Sequence, residues 1–266
     1  MTALQENQMI EAPGIGARIE ASFCGRAFAP HRHDTYAIGI TLSGVQTFDY
    51  RGAVRHSLPG GMIVLHPDES HDGRAGTDEA FTYRTLNLDP SVLQSILGGF
   101  CLPFIESGLS KDTRLRQAIT PLLEDYEHSL DALEYQDGLF DLVMALVAIS
   151  SPAKPICKHN YQAAQTARDY IIENISETVS LDELERITGR ERWALSRDFR
   201  ALYGVSPYRY LIMRRLEKAK QLLSGGCAIA DAAIASWFSD QSHFTRHFRK
   251  TYGLTPSAWR TIVLSP

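Results

Sequence analysis

Three histidines and two groups of arginines carry the chemistry that this chain offers. His31 and His33 alternate onto one face of an extended segment, and His71 lies on a later segment that a closed sheet would bring beside them. Three imidazoles together suit a divalent metal, a polar small-molecule pocket, or a structural hydrogen-bond network. The arginines sit in two matching settings: Trp193, Ser196, Arg197 and Arg200 in one, and Gln241, Ser242, Thr245, Arg246, Arg249 and Lys250 in the other. Leu195, Phe199 and Leu202, and then Phe244, Phe248 and Thr251, recur at helical spacing and leave the cations on the opposite side. Such a helix suits a DNA major groove. Arg pairs with guanine through two hydrogen bonds, Gln pairs with adenine, and Trp or a Thr methyl presses on thymine methyl groups. Taken singly, either helix reads equally well as a surface helix with solvated arginines.

The elements that would hold these side chains favour DNA. Leu195 to Pro207 returns forty-nine positions later as Phe244 to Pro256, and Tyr210 returns as Trp259. A repeat of about fifty residues occurring twice means two copies of one small helical unit, since a solenoid needs three or more. Each copy has Tyr-Gly and then a hydroxyl before Pro, which reads as a helix closed by a left-handed Gly and a new helix with Ser or Thr as N-cap and Pro at its first position. A helix precedes each copy. Ser180-Leu181-Asp182-Glu183 forms a capping box ahead of Leu184 and Ile187, and Ile229, Ala230, Ala233 and Ile234 mark the second leading helix. Helix, tight turn and basic helix is the helix-turn-helix order.

The run from Asp240 to Arg249, with Tyr252-Gly253-Leu254-Thr255-Pro256 and Trp259-Arg260 behind it, resembles the signature of the AraC/XylS transcription regulators, and the resemblance covers Ser180 to Arg260. It implies two recognition helices entering successive major grooves, joined by a linking helix. Pro207 to Leu223 is the candidate, and its seventeen positions span about 26 Å. By similarity Trp193, Ser196 and Arg197, with Gln241, Ser242, Thr245 and Arg246, read bases. Arg200, Arg214, Arg249 and Lys250 touch phosphates, which position the protein without reporting sequence. Two positions depart from the family. Trp237 stands in a turn where Gly is usual, and Glu191 replaces a small hydroxyl N-cap with a carboxylate that still suits a helix N-terminus.

At 266 residues the chain has room for two domains. The net charge of −4 conceals a split: from Asn160 onward 15 Lys and Arg face 11 Asp and Glu, and before it 12 face 20. A locally positive module attracts DNA whatever the total. Cys24, Cys101, Cys157 and Cys227 have no paired spacing, which points to a reducing compartment, and Met1 to Ile10 lacks a signal-peptide pattern. The expected location is the cytoplasm, with no membrane partner.

The first hundred residues read as short strands over Arg18 to Phe28, Tyr36 to Leu42, Thr47 to Tyr50, Met62 to Leu65 and Phe81 to Leu88, punctuated by Gly-containing turns. The spacing from Gly25 through His31, His33, Ala37 and Gly44, followed by Pro59-Gly60 and His71, resembles a cupin barrel, the usual effector-binding partner of an AraC-type module. Where metal-binding cupins carry a Glu ligand this chain has Ala37. Alternation puts Tyr83, Thr85 and Asn87 on one face of the last strand and Arg84 on the other. Tyr83 with His31, His33 and His71 is therefore the candidate effector site, with Thr41 and Ser43 as neighbours. No cofactor is expected unless the three histidines hold a divalent metal. His56, His66 and His128 read as ordinary.

Leu115, Ile119, Leu122 and Tyr126 form a narrow stripe that pairs with a second chain or packs on its own barrel; Leu139, Val143, Leu146 and Ile149 mark a second helix. The expected fold is α+β with two domains. Residues 1–110 form a cupin-like effector-binding barrel, 111–150 a helical segment, 151–159 a Pro-containing linker and 160–266 a double helix-turn-helix. The expected function is an effector-responsive, sequence-specific transcription regulator and not an enzyme, with double-stranded DNA and a small molecule as partners. RNA polymerase and a second copy of the chain are further candidate partners. The alternatives are a metal-dependent cupin enzyme fused to a DNA module, and an architectural DNA-binding protein without an effector.

Overall fold

A computed structural model describes residues 7–13, 16–124, 129–150 and 159–264. The chain is an N-terminal β domain followed by a helical domain. Strands β1 (Gln8–Glu11), β2 (Ala17–Phe23), β4 (Tyr36–Ser43), β7 (Met62–Leu65), β9 (Phe81–Leu88) and β10 (Leu109–Ser110) build one antiparallel sheet in the order β1-β2-β9-β4-β7-β10. Strands β3 (Arg26–His31), β5 (Gln46–Tyr50), β6 (Ala53–Ser57) and β8 (His71–Ala75) build a second, in the order β3-β8-β5-β6. The sequence reading of a single strand from Arg18 to Phe28 is corrected: the chain turns at Gly25 (φ 67°), and its two halves, β2 and β3, belong to different sheets.

Period-two alternation sorts the large sheet into two faces. Tyr36 and Ile38 of β4, Met62 and Val64 of β7, and Leu86 and Leu88 of β9 face outward into an apolar core with three helices: α1 (Pro90–Leu97), α2 (Thr113–Glu124) and α3 (Ala132–Ile149). The intervening Ala37, Gly39, Ile63, Leu65, Tyr83, Thr85 and Asn87 face inward and line a cavity. Arg84 points the other way, to the Glu20 carboxylate (2.6 Å) and the Leu123 and Glu124 carbonyls, as the alternation requires.

Leu115, Ile119 and Leu122 are buried on the chain's own sheet, as are Leu139, Val143 and Leu146; Tyr126, His128, Cys157 and the expected linker's residues 151–158 lie outside the described residues. The large apolar side chains left exposed on α3 are Leu133, Phe140, Met144 and Val147. His66 is structural. Its Nε2 accepts from the Ile105 N–H (3.0 Å), so its Nδ1–H donates to the Tyr50 hydroxyl (2.6 Å).

The helical domain comprises α4 (Tyr161–Glu173), α5 (Leu181–Thr188), α6 (Arg192–Tyr203), α7 (Pro207–Ser224), α8 (Ile229–Ala235), α9 (Gln241–Tyr252) and α10 (Pro256–Leu264). Each copy of the repeat has its own core. Leu184, Leu195, Phe199 and Tyr210 centre the first, and Leu216, Phe244, Phe248 and Trp259 the second. Helix α7 spans both. The capping residues act as their types dictate. Ser206 accepts from the Arg209 N–H, Asp240 from the His243 N–H, and Glu191 from both the Trp193 and Ala194 N–H groups. Trp237 does take the left-handed backbone (φ 61°) that the family's Gly would supply, and the Lys218 ammonium lies 3.8 Å from the centre of its ring. Among the described residues no helix is long and apolar enough to cross a membrane.

The two domains meet through the equivalent ends of the repeat. Gly204 (φ 75°) and Gly253 (φ 70°) close α6 and α9, and both press on the barrel. A Cβ on Gly204 would come within 2.5 Å of Pro67 Cβ; one on Gly253 would come within 2.7 Å of the Ala29 carbonyl and 2.9 Å of His31 Nδ1. Gly253→Ala therefore meets two penalties, the left-handed backbone and the barrel main chain. Gly189 has the same role on α5 (φ 64°), and a Cβ there meets nothing within 4 Å. The Gly253→Ala variant is expected to lower the melting temperature more than Gly189→Ala does. Equal losses in the two melts would rule out the tight docking.

Candidate nucleic-acid interface and effector cavity

The DNA-reading candidates fall on the outer sides of α6 and α9. Trp193 is 60% exposed, and Arg197, Arg200, Gln241, Ser242, Arg246, Arg249 and Lys250 are exposed, with Thr245 half-buried. Gln241, Thr245, Arg246 and Lys250 share one open groove, whose rim includes Pro30 of β3. Ser196 is a correction. It was expected to be exposed and is buried, and its hydroxyl accepts from the Arg200 guanidinium. Arg214, expected at phosphates, is corrected too: it points into the domain interface.

There the Arg214 guanidinium meets the Asp34 carboxylate at 2.5 Å and the Asp89 carboxylate at 3.2 Å. Burial opposes its charge, but Asp34 and Asp89 outweigh that and hold it above the usual arginine range. Arg209 on the same helix lies 2.9 Å from the Asp68 carboxylate and donates to the Arg32 carbonyl. The Arg32 N–H donates to the Lys250 carbonyl (3.1 Å), tying the end of β3 to α9.

Beneath this junction lies a cavity of about 440 Å³ with walls from both domains. The barrel contributes His31, His33, His71, Tyr83, Thr85 and Asn87, and the helical domain contributes Arg214, Lys220, Tyr252 and Trp259 among others. Sequence reasoning found the barrel side and missed the helical side. Thr41 and Ser43 do not line it; the Thr41 hydroxyl donates instead to the Ser57 hydroxyl. His31 and His71 face each other across the β3–β8 ladder with ring centroids 4.3 Å apart, and His33 stands 4.7 Å from His71. Burial pushes all three imidazoles below the ordinary histidine range, His33 to about 3, so they are neutral at pH 7. Burial likewise raises the Tyr83 hydroxyl, which stays protonated.

A family model described as the AraC-like ligand binding domain matches residues 14–143, and one described as a helix-turn-helix domain matches 184–262. Together they span most of the chain, in the order the geometry shows. The chain belongs to the AraC family of transcription regulators.

Similar regulators agree. The uncharacterized HTH-type transcriptional regulator YbfI of Bacillus subtilis is 26% identical over 231 residues, 81% of each chain. The HTH-type transcriptional activator RhaS of Yersinia pestis is 25% identical over 274 residues, 98% of this chain and 99% of the relative. Among solved structures, ToxT of Vibrio cholerae superposes with a TM-score of 0.66 at 13% identity, covering 92% of this chain and 99% of ToxT, which shows a shared two-domain fold. ToxT with a bound unsaturated fatty acid gives 0.66 at 12% identity over 96% and 98% of the two chains. This AraC-family regulator thus joins a ligand-binding barrel to a DNA-binding double helix-turn-helix.

Proposed function

We propose that the shared cavity is the effector site and that its occupant controls how the barrel docks on the DNA module. The observation that carries this is the mixed lining: His33 and Tyr83 of the barrel and Arg214, Lys220 and Trp259 of the helical domain border one space. A ligand shifts an equilibrium only by its differential contacts in the two states, and contacts spanning a movable interface are of that kind. The volume suits a drug-sized molecule with apolar and polar parts. The fatty-acid-bound ToxT structure is a precedent for a small molecule in a regulator of this fold.

In this reading Arg197, Arg246, Gln241, Ser242, Thr245 and Trp193 read bases, while Arg200, Arg249 and Lys250 grip phosphates. The barrel senses and does not catalyse, and the protein works in the cytoplasm beside its DNA. The exposed side of α3, with Phe140 and Met144, takes a second copy of the chain, and RNA polymerase is the downstream partner.

The test pairs a thermal-shift screen of small molecules, saturated and unsaturated fatty acids included, with binding to DNA selected from a random pool. Hits should change DNA affinity in the parent protein. In Tyr83→Ala and Asn87→Ala they should lose that effect while effector-free DNA binding persists. Hits that act equally on both variants would place the effector elsewhere. Sedimentation of Phe140→Glu should show a monomer; an unchanged mass would clear α3 of the dimer role.

A further inference from the structure

We propose that His31, His33 and His71 form a binding site for one divalent transition-metal ion of the zinc type, open toward the cavity. One ring nitrogen from each of the three lies within 4.8 Å of the other two, the one such convergence of three or more ligating residues among the described residues. The decisive detail is the other nitrogen. His31 Nδ1 faces the Ala29 carbonyl at 2.9 Å, His33 Nδ1 the Thr35 carbonyl at 2.8 Å, and His71 Nδ1 the Glu69 carbonyl at 3.0 Å. A carbonyl can only accept, so each Nδ1 carries the proton and each Nε2 is left as a bare lone pair. Three lone pairs directed into one space repel unless a cation or a donor lies between them. Backbone carbonyls that fix the outer nitrogen are also the usual support of a metal-bound imidazole, because they set the tautomer and ring angle and raise the basicity of the ligating atom.

Size and chemistry agree. A four-coordinate ion about 2.0–2.1 Å from each nitrogen holds its ligands about 3.4 Å apart, so the rings need to close by little more than an ångström. Neutral nitrogen ligands select zinc, copper, nickel, cobalt or iron over magnesium or calcium. Ala37 lines the same cavity and ends at its Cβ. The three histidines line the same cavity, so a fourth position there would take water or an oxygen or nitrogen atom of an incoming molecule. The site also adjoins the DNA module, since the His31 ring packs on the Gly253 cap of α9. Metal binding itself is read without DNA or effector, so its failure and that of the effector assignment are separable.

The experiment uses the full chain, stripped with chelator and titrated with Zn²⁺ against a chromophoric competitor, and with Co²⁺ followed by visible absorption. One equivalent should bind and raise the melting temperature, and X-ray absorption of the zinc form should count three imidazoles. His31→Ala, His33→Ala and His71→Ala should each weaken binding by more than the roughly 10- to 100-fold that follows loss of an outer supporting partner. No stoichiometric binding, or fewer than three imidazoles in the parent protein, overturns the site even if a variant fails to fold. His243 and His247 sit one turn apart on α9 with ring centroids at 4.6 Å. Zinc binding that survives the three variants and disappears in His243→Ala would move the ion there and also overturn the proposal.

Discussion

Arg214→Ala is expected to uncouple the two domains. The change leaves Asp34 and Asp89 facing each other at the interface with no cation between them, and Asp34 is nearly buried. Removing one partner of a buried pair costs about 3–5 kcal/mol, because the surviving charge stays unsolvated. Nothing in the cores of either domain changes, so the loss should fall on docking. Calorimetry should show one cooperative transition in the parent protein split into two in the variant, and proteolysis should cut between the domains faster. Arg214→Ala melting as a single transition at the parental temperature would refute the idea that this residue holds the interface. Asp34→Asn restores part of the balance and should reduce the loss when combined with Arg214→Ala.

Arg246→Ala should weaken specific DNA binding by about 1–3 kcal/mol and relax preference at a single base position, because its exposed guanidinium heads the free side of α9. Arg197→Ala should do the same on the neighbouring groove segment. A footprint would then lose protection at one of two patches separated by about one helical turn, 34 Å. Lys250→Ala, by contrast, should lower affinity for every sequence alike and flatten its salt dependence. If Arg246→Ala left both the footprint and the base preferences intact, α9 would not be a reading helix.

Local chemistry was legible in the sequence and long-range chemistry was not. The alternation of Tyr83, Thr85 and Asn87 against Arg84 is a property of any strand with two different faces, and the structure keeps it. Trp237 stands where the resembled family has Gly, which left either a left-handed Trp or a different turn, and the structure has the left-handed Trp. Helix α1 had its signal in Asp89-Pro90, an N-cap followed by Pro at the first helical position, which the strand pattern before it overshadowed. Ser196 is buried and not exposed because it lies beside Leu195 on the flank of the helix, where its small side chain is covered by Arg200. Arg214 had no readable partner. Asp34 is 180 residues away, and only the docked fold brings the two together.

The glycine caps at Gly204 and Gly253 give the barrel a grip on the tails of both recognition helices, at Pro67 and at His31. Under the proposed function, a barrel held this way would act as a caliper, setting the pitch and phase between the two reading helices. A change in its jaws would alter which operators fit before it altered how strongly either head binds. One inserted base pair between half-sites turns the second by about 34° and moves it about 3.4 Å along the axis. Operators differing only in that spacer should therefore report the state of the barrel more sensitively than operators differing in sequence.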